Sequence, residues 1–353
     1  GIWGSVAVIG AAAGPTVGGF FLEHFWWGSV FLLNVPLVAV AIALTLLLAP
    51  PNAPNPQKHW DFPSSLYSLI TLACLVLAIK SLANNWPVCA AAGVVFACGA
   101  LAFARRQARL SDPLLTFDIF RSRIFSGGAL TAGGAMFCLA GLELLSTQKL
   151  QLVDALSPLN AGLIISAMAL SAIPTSILGG ATLHHVGFLP LISGGFLFMA
   201  AGMALVVWTG GTMLPVLVCG LVLTGLGAGL AMSVSSTAII NAAPPHRAGM
   251  ASGVEAVSYE FGTLISIALT GSLVPLLMAR ELPPHLSELG TDALHHHSSH
   301  AAATSAYNAG YLFTIGGLSC FALLFAAITA WCFRDNPKSG DPHAAHQQKD
   351  RSP

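Results

Sequence analysis

Long apolar segments alternate with short polar spacers along almost the whole chain. About 20 apolar residues are enough to cross the hydrocarbon core of a bilayer as a helix. Because the segments are continuous, they do not fit barrel strands, which alternate over about ten residues. The pattern therefore predicts an all-α polytopic membrane protein. Its ten segments, with ends placed to about three residues, cover 1–22, 27–49, 64–84, 87–104, 124–147, 159–182, 188–208, 213–236, 248–277 and 307–333.

Composition supports this class. The chain has 353 residues, of which 55% are hydrophobic and 8% charged, and its mean hydropathy is +0.76. A soluble domain carries about 25% charged residues, so this chain cannot cover a water-facing surface. The formal net charge is zero, and nothing indicates a nucleic-acid partner. The seven cysteines occur singly without a CxxC pair, and we interpret them as small hydrophobic residues.

Basic residues are distributed unevenly between the two sides of the predicted membrane. If the first segment leaves on the far side, eleven of the fourteen lysines and arginines fall on the near side and three on the far side. By the positive-inside rule the near side is cytoplasmic, and so is the polar tail 334–353, which we expect to be disordered. The chain begins with Gly1 inside an apolar segment, without a visible signal peptide. We therefore expect a fragment that lacks an N-terminal part.

The segment 248–277 carries two carboxylates, Glu255 and Glu260, in its first half. A charge at membrane depth costs about 2.5–3.5 kcal/mol on insertion scales, so such acids usually face a protein-lined cavity and bind protons or cations. The two are about 140° apart around a helix. Glu255 and Tyr259 share a face at i,i+4, and a carboxylate beside an aromatic ring suits an organic cation. The alternative is that these acids are idle, with Glu255 near enough to the cytoplasmic end to contact water.

Two other polar features have open interpretations. Glu143, toward the far end of its segment, either contacts a cation on an exit route or is an interfacial acid that pairs with Lys149 or water. Asp154 is expected to be solvated in a far-side loop. The run His295–His300 (HHHSSH) in the far-side loop 279–306 is either a weak transition-metal site or solvated filler, and we assign it no metal.

The first segment contains GAAAGPTVGG. Gly10, Gly14 and Gly18 recur every four residues and lie on one helix face, which allows a neighbouring backbone to approach closely. Pro15 removes a backbone donor and bends the helix. Such a face suits either a helix that rocks against a partner or ordinary helix packing.

This stretch, with Gly19 at its end and FLLNVP at 31–36, resembles the antiporter motif in the fifth helix of major facilitator superfamily drug exporters. More narrowly, it is similar to the 14-helix drug:proton antiporter branch, whose members export quaternary ammonium compounds and methyl viologen. Further stretches that resemble this branch are 112–125, 148–163 and 233–262.

The resemblance implies that about ten helices are present, which correspond to helices five to fourteen of the branch. Residues 1–49 would be the last two helices of the N-terminal half, 64–104 two inserted helices and 124–333 the C-terminal six-helix half, with cytoplasmic linkers at 50–63 and 105–123. It also implies that the acids of the thirteenth helix, here Glu255 and Glu260, assist cation recognition or proton exchange. The sequence departs from the pattern at Ala256, where a second acid is common, and at 183–190, where LHHVGFLP replaces the usual charged residues.

These observations predict a proton-coupled exporter of lipophilic organic cations in a bacterial inner membrane, monomeric and without a cofactor. A proton and a cation would compete for the same or coupled carboxylates, and alternating access would give the direction. Another metabolite is an alternative substrate on the same fold, and a truncated chain without transport activity is a further alternative. An enzyme is not predicted, because we find no nucleophile–base arrangement and no phosphate-binding glycine loop.

Overall fold

The computed structural model describes residues 2–48, 61–81, 85–110, 116–211, 213–244, 247–282, 294 and 300–334. Within these ranges the chain is helical and contains no strand. The helices are α1 (Ile2–His24), α2 (Ser29–Leu32), α3 (Asn34–Leu48), α4 (Phe62–Ser81), α5 (Trp86–Gln107), α6 (Arg123–Leu152), α7 (Pro158–Val186), α8 (Phe188–Trp208), α9 (Leu214–Ala242), α10 (Ala248–Glu281) and α11 (His300–Phe333). A short 3-10 helix at Phe117–Arg121 precedes α6.

Local sequence signals set several helix ends. The side chains of Asn85, Ser122 and Ser157 accept hydrogen bonds from backbone amides three residues ahead and cap α5, α6 and α7. Gly187, with φ +86°, separates α7 from α8, since an L side chain is unfavourable in that conformation. Gly210 and Gly211 end α8 in the same way, with φ +66° and +65°.

Nine helical stretches in the described part of the chain are long and apolar enough to cross a membrane, when Ser29–Leu48 is taken as one span. The first predicted segment also forms a helix, α1. The segment predicted at 27–49 is not continuous, because it breaks at Leu33 between α2 and α3. Pro36 explains part of this break, since it has no amide hydrogen to donate to the carbonyl of Leu32.

Several helices extend beyond the predicted apolar segments. α6 continues to Leu152, α9 continues to Ala242, and α11 already begins at His300. The added turns contain polar residues, which hydropathy alone assigns to loops although they are compatible with a helix. The linker predicted at 105–123 is also shorter, because α5 runs to Gln107. The predicted linker residues 50–60, the tail 335–353 and His295–His297 lie outside the described residues.

Helices α6 to α11 form the main bundle and contain most of the buried apolar side chains. α1 packs along α7, and α4 packs against both α5 and α10. Close contact between α7 and α9 depends on glycine, because a Cβ at Gly225 or Gly229 would overlap the backbone carbonyl of Met168 or Ala172. α3 has no buried residue. Glu255 and Glu143 are thereby placed on two helices of the bundle, α10 and α6, that pack together.

Candidate functional site

The near-side end of α10 is fixed to the loop that precedes α6. Arg247 Nη1 contacts Asp118 Oδ2 at 2.9 Å and donates to Thr116 Oγ1 at 3.3 Å. Thr116 also donates to Met250 Sδ through its amide and its hydroxyl, each at 3.4 Å. The guanidinium of Arg247 is the main cause that lowers the pKa of Asp118 below its usual range. These contacts set the position at which α10 begins, two turns before its first glutamate.

Glu255 is the only aspartate or glutamate that is buried within the described ranges, with 5% of its surface exposed. Tyr259 Oη donates a hydrogen bond to Glu255 Oε1 at 3.2 Å. The same hydroxyl lies 3.5 Å from the backbone oxygen of Met232 on α9. The pair that was predicted to share a face therefore does so, and Tyr259 connects the carboxylate to the neighbouring helix.

The α9 side of this arrangement was not predicted from the sequence. Ser235 is fully buried, donates to the carbonyl of Met232 at 2.9 Å, and lies beside the Tyr259 hydroxyl. The signal was the polar run Ser233–Ser236 in an otherwise apolar helix. Hydroxyls inside a membrane helix often bond to their own backbone, so the run alone does not show that it faces another helix.

No lysine or arginine pairs with Glu255 in the part of the chain that the structure describes. The ion pairs found there join Arg106 to Asp61, Lys149 to Asp154 and Arg247 to Asp118. A buried charge is stable only when it is paired and hydrogen-bonded. The hydroxyl of Tyr259 is the hydrogen-bond donor to this buried carboxyl among the described side chains.

Glu260 lies on a different side of α10. Its side chain is exposed in the described part of the chain. Gly253, Ala256 and Leu264, which lie on the same helix face, are exposed as well. Glu255 and Glu260 therefore do not converge on one point, in agreement with their predicted angular separation. Glu255 is buried and Glu260 is exposed, and the cavity-facing role that we expected for both acids stays a prediction.

Glu143 is half-buried on α6. Of the two partners that its alternative allowed, Lys149 or water, Lys149 is engaged elsewhere, because its Nζ contacts both carboxylate oxygens of Asp154 at 2.8 and 3.1 Å. Asp154 is accordingly more than a solvated loop residue. The lysine turns to the acid that follows the helix end because the chain folds back there, with the amide of Asp154 bonded to the Lys149 carbonyl.

An apolar groove runs along α6, α10 and α11. It consists of two adjoining cavities of about 440 and 420 Å³ that share Phe137, Leu269 and Phe321. The rings of Phe137 and Phe321 meet edge to face at 5.3 Å. The groove offers an apolar surface to a lipophilic molecule.

The glycine motif of α1 contacts α7 through Pro15 and Gly19, and not through Gly10, Gly14 and Gly18 as expected. A Cβ at Gly19 would lie 2.5 Å from the carbonyl oxygen of Pro158, and a Cβ at Gly162 would overlap that of Pro15. Thr16 Oγ1 lies 3.0 Å from Ser166 Oγ in the same interface.

The close backbone approach that we expected at Gly10, Gly14 and Gly18 is therefore absent, since a Cβ there would meet no described atom within 4 Å. The reason is rotational: Pro15 and Gly19, four residues apart, form the face turned to α7.

Known proteins resemble the chain over most of its length. The family model of the Major Facilitator Superfamily matches residues 1–267. The methyl viologen resistance protein SmvA of Salmonella typhimurium is 32% identical over 278 residues, 78% of this chain and 56% of that protein. The multidrug efflux pump LfrA of Mycolicibacterium smegmatis is 33% identical over 280 residues, 77% of this chain and 55% of the pump.

The multidrug resistance protein Stp of Mycobacterium tuberculosis is 28% identical over 300 residues, 84% of this chain and 56% of that protein. The chain thus spans about half the length of the curated relatives that it matches.

Proposed function

Because this chain belongs to the Major Facilitator Superfamily, we propose that it acts in a secondary transporter that exports lipophilic organic cations in exchange for protons. The names of its relatives support this substrate class, since they refer to methyl viologen resistance and to multidrug efflux. Methyl viologen is an organic dication, so a carboxylate is the natural group to recognise it.

The observation that carries the proposal is Glu255. It is a buried carboxylate in a membrane-crossing helix, with a tyrosine hydroxyl as donor and no basic partner among the described residues. Acids at this depth in membrane proteins commonly mark an ion or substrate pathway. The ring of Tyr259 beside it offers a cation–π contact in addition to the charge.

The exchange requires only competition for this carboxylate. A cation that binds from the near side displaces a proton, and a proton that arrives from the far side later displaces the cation. Reorientation of two helix groups gives the process its direction. The α1–α7 interface suits such motion, since it combines close glycine contacts with only two described polar side-chain contacts, from Thr16 Oγ1 to Ser166 Oγ at 3.0 Å and to the Gly162 carbonyl at 3.4 Å.

We further propose that Glu260 and Glu143 act at other stages of the same route and do not belong to the Glu255 site. Glu260 lies on the open face of α10, and Glu143 lies half-buried on α6 nearer the far side. In this proposal the protein is a monomer in a bacterial inner membrane, and its near side, with the C-terminus, faces the cytoplasm. The excess of lysine and arginine on the near side supports this orientation.

The proposal is tested by ethidium efflux from a bacterium that lacks its own efflux pumps. The chain is expressed alone and as a chimera in which it replaces the matched segment of SmvA. Wild type is expected to lower dye accumulation in at least one form, and a protonophore should abolish the effect. Glu255→Gln should abolish dye export although the variant is present in the membrane at the wild-type amount. The isosteric change Glu260→Gln, on the open face of α10, should leave more export than Glu255→Gln does. The proposal fails if neither form exports a cation, or if Glu255→Gln exports normally.

A further inference from the structure

The first turns of α11 carry a polar stripe that faces the protein interior. Its members are spaced at i, i+3, i+4 and i+7, which places them on one helix face. They are Thr304, Tyr307, Asn308 and Tyr311. Each has a buried side-chain oxygen that forms no hydrogen bond with any residue that the structure describes. Tyr307 and Tyr311 are only 1% and 0% exposed.

α6 contributes two more buried polar residues opposite this stripe. Ser146 is fully buried, and its hydroxyl also finds no partner within the described ranges. Lys149 is 3% exposed, and its ammonium group lies 6.0 Å from the centre of the Tyr311 ring and 2.8 Å from Asp154. Asp154 has 37% of its side chain exposed and so brings the group to the far-side surface.

These groups neighbour one another at the far-side ends of α6 and α11. The Tyr307 hydroxyl lies within electrostatic range of Tyr311, and the Tyr311 hydroxyl lies beside Ser146 and within range of Asp154. Although Tyr311 and Ser146 are close, they do not form a hydrogen bond of normal geometry. Gly211 lies against this group of residues, since a Cβ added there would lie 3.0 Å from the Tyr311 ring.

Unpaired buried hydroxyls are unfavourable, and proteins generally satisfy such groups with ordered water that makes about three hydrogen bonds. One unpaired hydroxyl would be an isolated defect. Here five unpaired oxygens, on Ser146, Thr304, Tyr307, Asn308 and Tyr311, occur at the same end of two packed helices. A shared set of water molecules would satisfy several of them at once.

We propose that these residues, together with Lys149 and Asp154, form an internal hydration site, which we name the far-side polar cluster. Its ligand is ordered water, and its hydroxyls connect Asp154 at the surface with Tyr307 and Tyr311 among the buried side chains, Tyr311 being one turn deeper along α11. This second step rests on the proposed function: the cluster carries protons between the far-side solvent and the interior. Each proton that enters at the outer end is matched by one passed inward, so no group is oxidised or reduced.

The hydration site is tested by X-ray radiolytic labelling of the purified chain in detergent, with mass spectrometry of the modified residues. Hydroxyl radicals form from water at the site, so a buried tyrosine is labelled quickly only when water is bound beside it. Tyr307 and Tyr311 should be modified several-fold faster, relative to intrinsic reactivity, than Phe196, a fully buried ring stacked on Phe325. Equal rates would overturn the site and would indicate that other protein groups satisfy the hydroxyls.

The proton route is tested separately by substrate-driven proton flux in proteoliposomes. Tyr311→Phe keeps the ring and removes the hydroxyl, and should slow the flux several-fold. Tyr67→Phe on α4, where the side chain is 42% exposed, is the matched control and should leave the flux unchanged. Normal flux in Tyr311→Phe would overturn the route, while the labelling result would still decide the hydration site. Absence of flux in wild type would overturn the proposed function and the route together, again without affecting the labelling result.

Discussion

Tyr259 donates a hydrogen bond to Glu255 from the next turn of α10, with 3.2 Å between Oη and Oε1. The relationship makes the tyrosine a positioning residue, because its hydroxyl orients the carboxylate. The Met232 carbonyl on α9, 3.5 Å away, is an alternative acceptor for the same hydrogen. A movement of α10 relative to α9 would therefore change the donor available to Glu255. The affinity of the carboxylate for a cation is in this way connected to helix packing.

Removal of this hydroxyl should weaken cation binding. Tyr259→Phe leaves the ring in place but takes away a hydrogen bond to a carboxylate, which is worth about 1.5 kcal/mol. That corresponds to about a tenfold rise in the Kd for ethidium, measured by fluorescence polarisation at pH 7. Tyr67→Phe should have no effect. An unchanged Kd in Tyr259→Phe would show that the hydroxyl does not hold the carboxylate in its binding state.

Lys149 pairs with Asp154 and not with Glu143 in this structure, and the two acids should therefore differ in their effect on stability. Asp154→Asn leaves a buried ammonium group without its counter-charge and should lower the free energy of unfolding by about 1–3 kcal/mol, less than for a fully buried pair because Asp154 is 37% exposed. Glu143→Gln should change it little. Unfolding in mixed micelles, followed by circular dichroism, measures both. A larger loss from Glu143→Gln would mean that Lys149 pairs with Glu143 instead.

The α1–α7 interface should tolerate no side chain at Gly162. Gly162→Ala places a methyl group against the Pro15 carbonyl, so the helices must separate. Overpacking of this kind costs about 1–3 kcal/mol and should lower the thermal midpoint in detergent by several degrees. Gly14→Ala is the control, since its Cβ meets no described atom within 4 Å. Similar midpoints for the two variants would show that α1 does not pack on α7 as described.

How far the sequence predicts this protein can be seen by comparing Glu255 with Tyr311. Acids in an apolar helix stand out in the sequence, and helical periodicity places Tyr259 beside Glu255, so this part of the site was predictable. Run length likewise predicted the helices, apart from the break at Leu33. These are local properties, and local spacing is sufficient to infer them.

The far-side polar cluster was not predictable in the same way. It depends on how α11 is rotated against α6. Of the stripe at 304–311, only Thr304 was assigned to a loop, and the other three residues lay inside the predicted segment 307–333. Whether a tyrosine near a helix end faces water or the core is decided by tertiary packing. The same holds for Gly10, Gly14 and Gly18, whose regular spacing indicated a contact face although α1 turns the adjacent face to α7.

The hairpin of α4 and α5 should loosen only in strong acid. Arg106 Nη2 contacts Asp61 Oδ1 at 2.8 Å, and Ser64 also donates to this carboxylate. The Arg106 and Ser64 hydrogen bonds lower the pKa of Asp61 from 3.8 to about 2. Since the folded pKa is the lower one, the stabilisation is fully present above about pH 4 and is lost as the pH falls through about 2.

The loss of the Asp61 contact with falling pH can be measured by hydrogen exchange at the amide of Ser64, which donates to Asp61 Oδ1 at 3.3 Å. The measured exchange rate is corrected for the intrinsic rate at each pH. Protection should be constant from pH 7 to about 4 and should fall below that, whereas Asp61→Asn should be poorly protected throughout. If protection instead disappears near pH 4 in wild type, Asp61 titrates at its usual pKa and the contact with Arg106 does not hold the two helices together.

The orientation of the chain gives the last prediction. The basic residues that follow α5 and α11, such as Arg105 and Arg334, place these ends on the cytoplasmic side, while the turn after α8 at Gly210 and Gly211 falls on the other side. Alkaline phosphatase is active only outside the cytoplasm. A fusion after Gly211 should therefore be active, and a fusion after Arg334 should be inactive although it is produced at the same level. The reverse result would invert the direction of transport, because the far-side polar cluster would then face the cytoplasm and would receive no proton from outside.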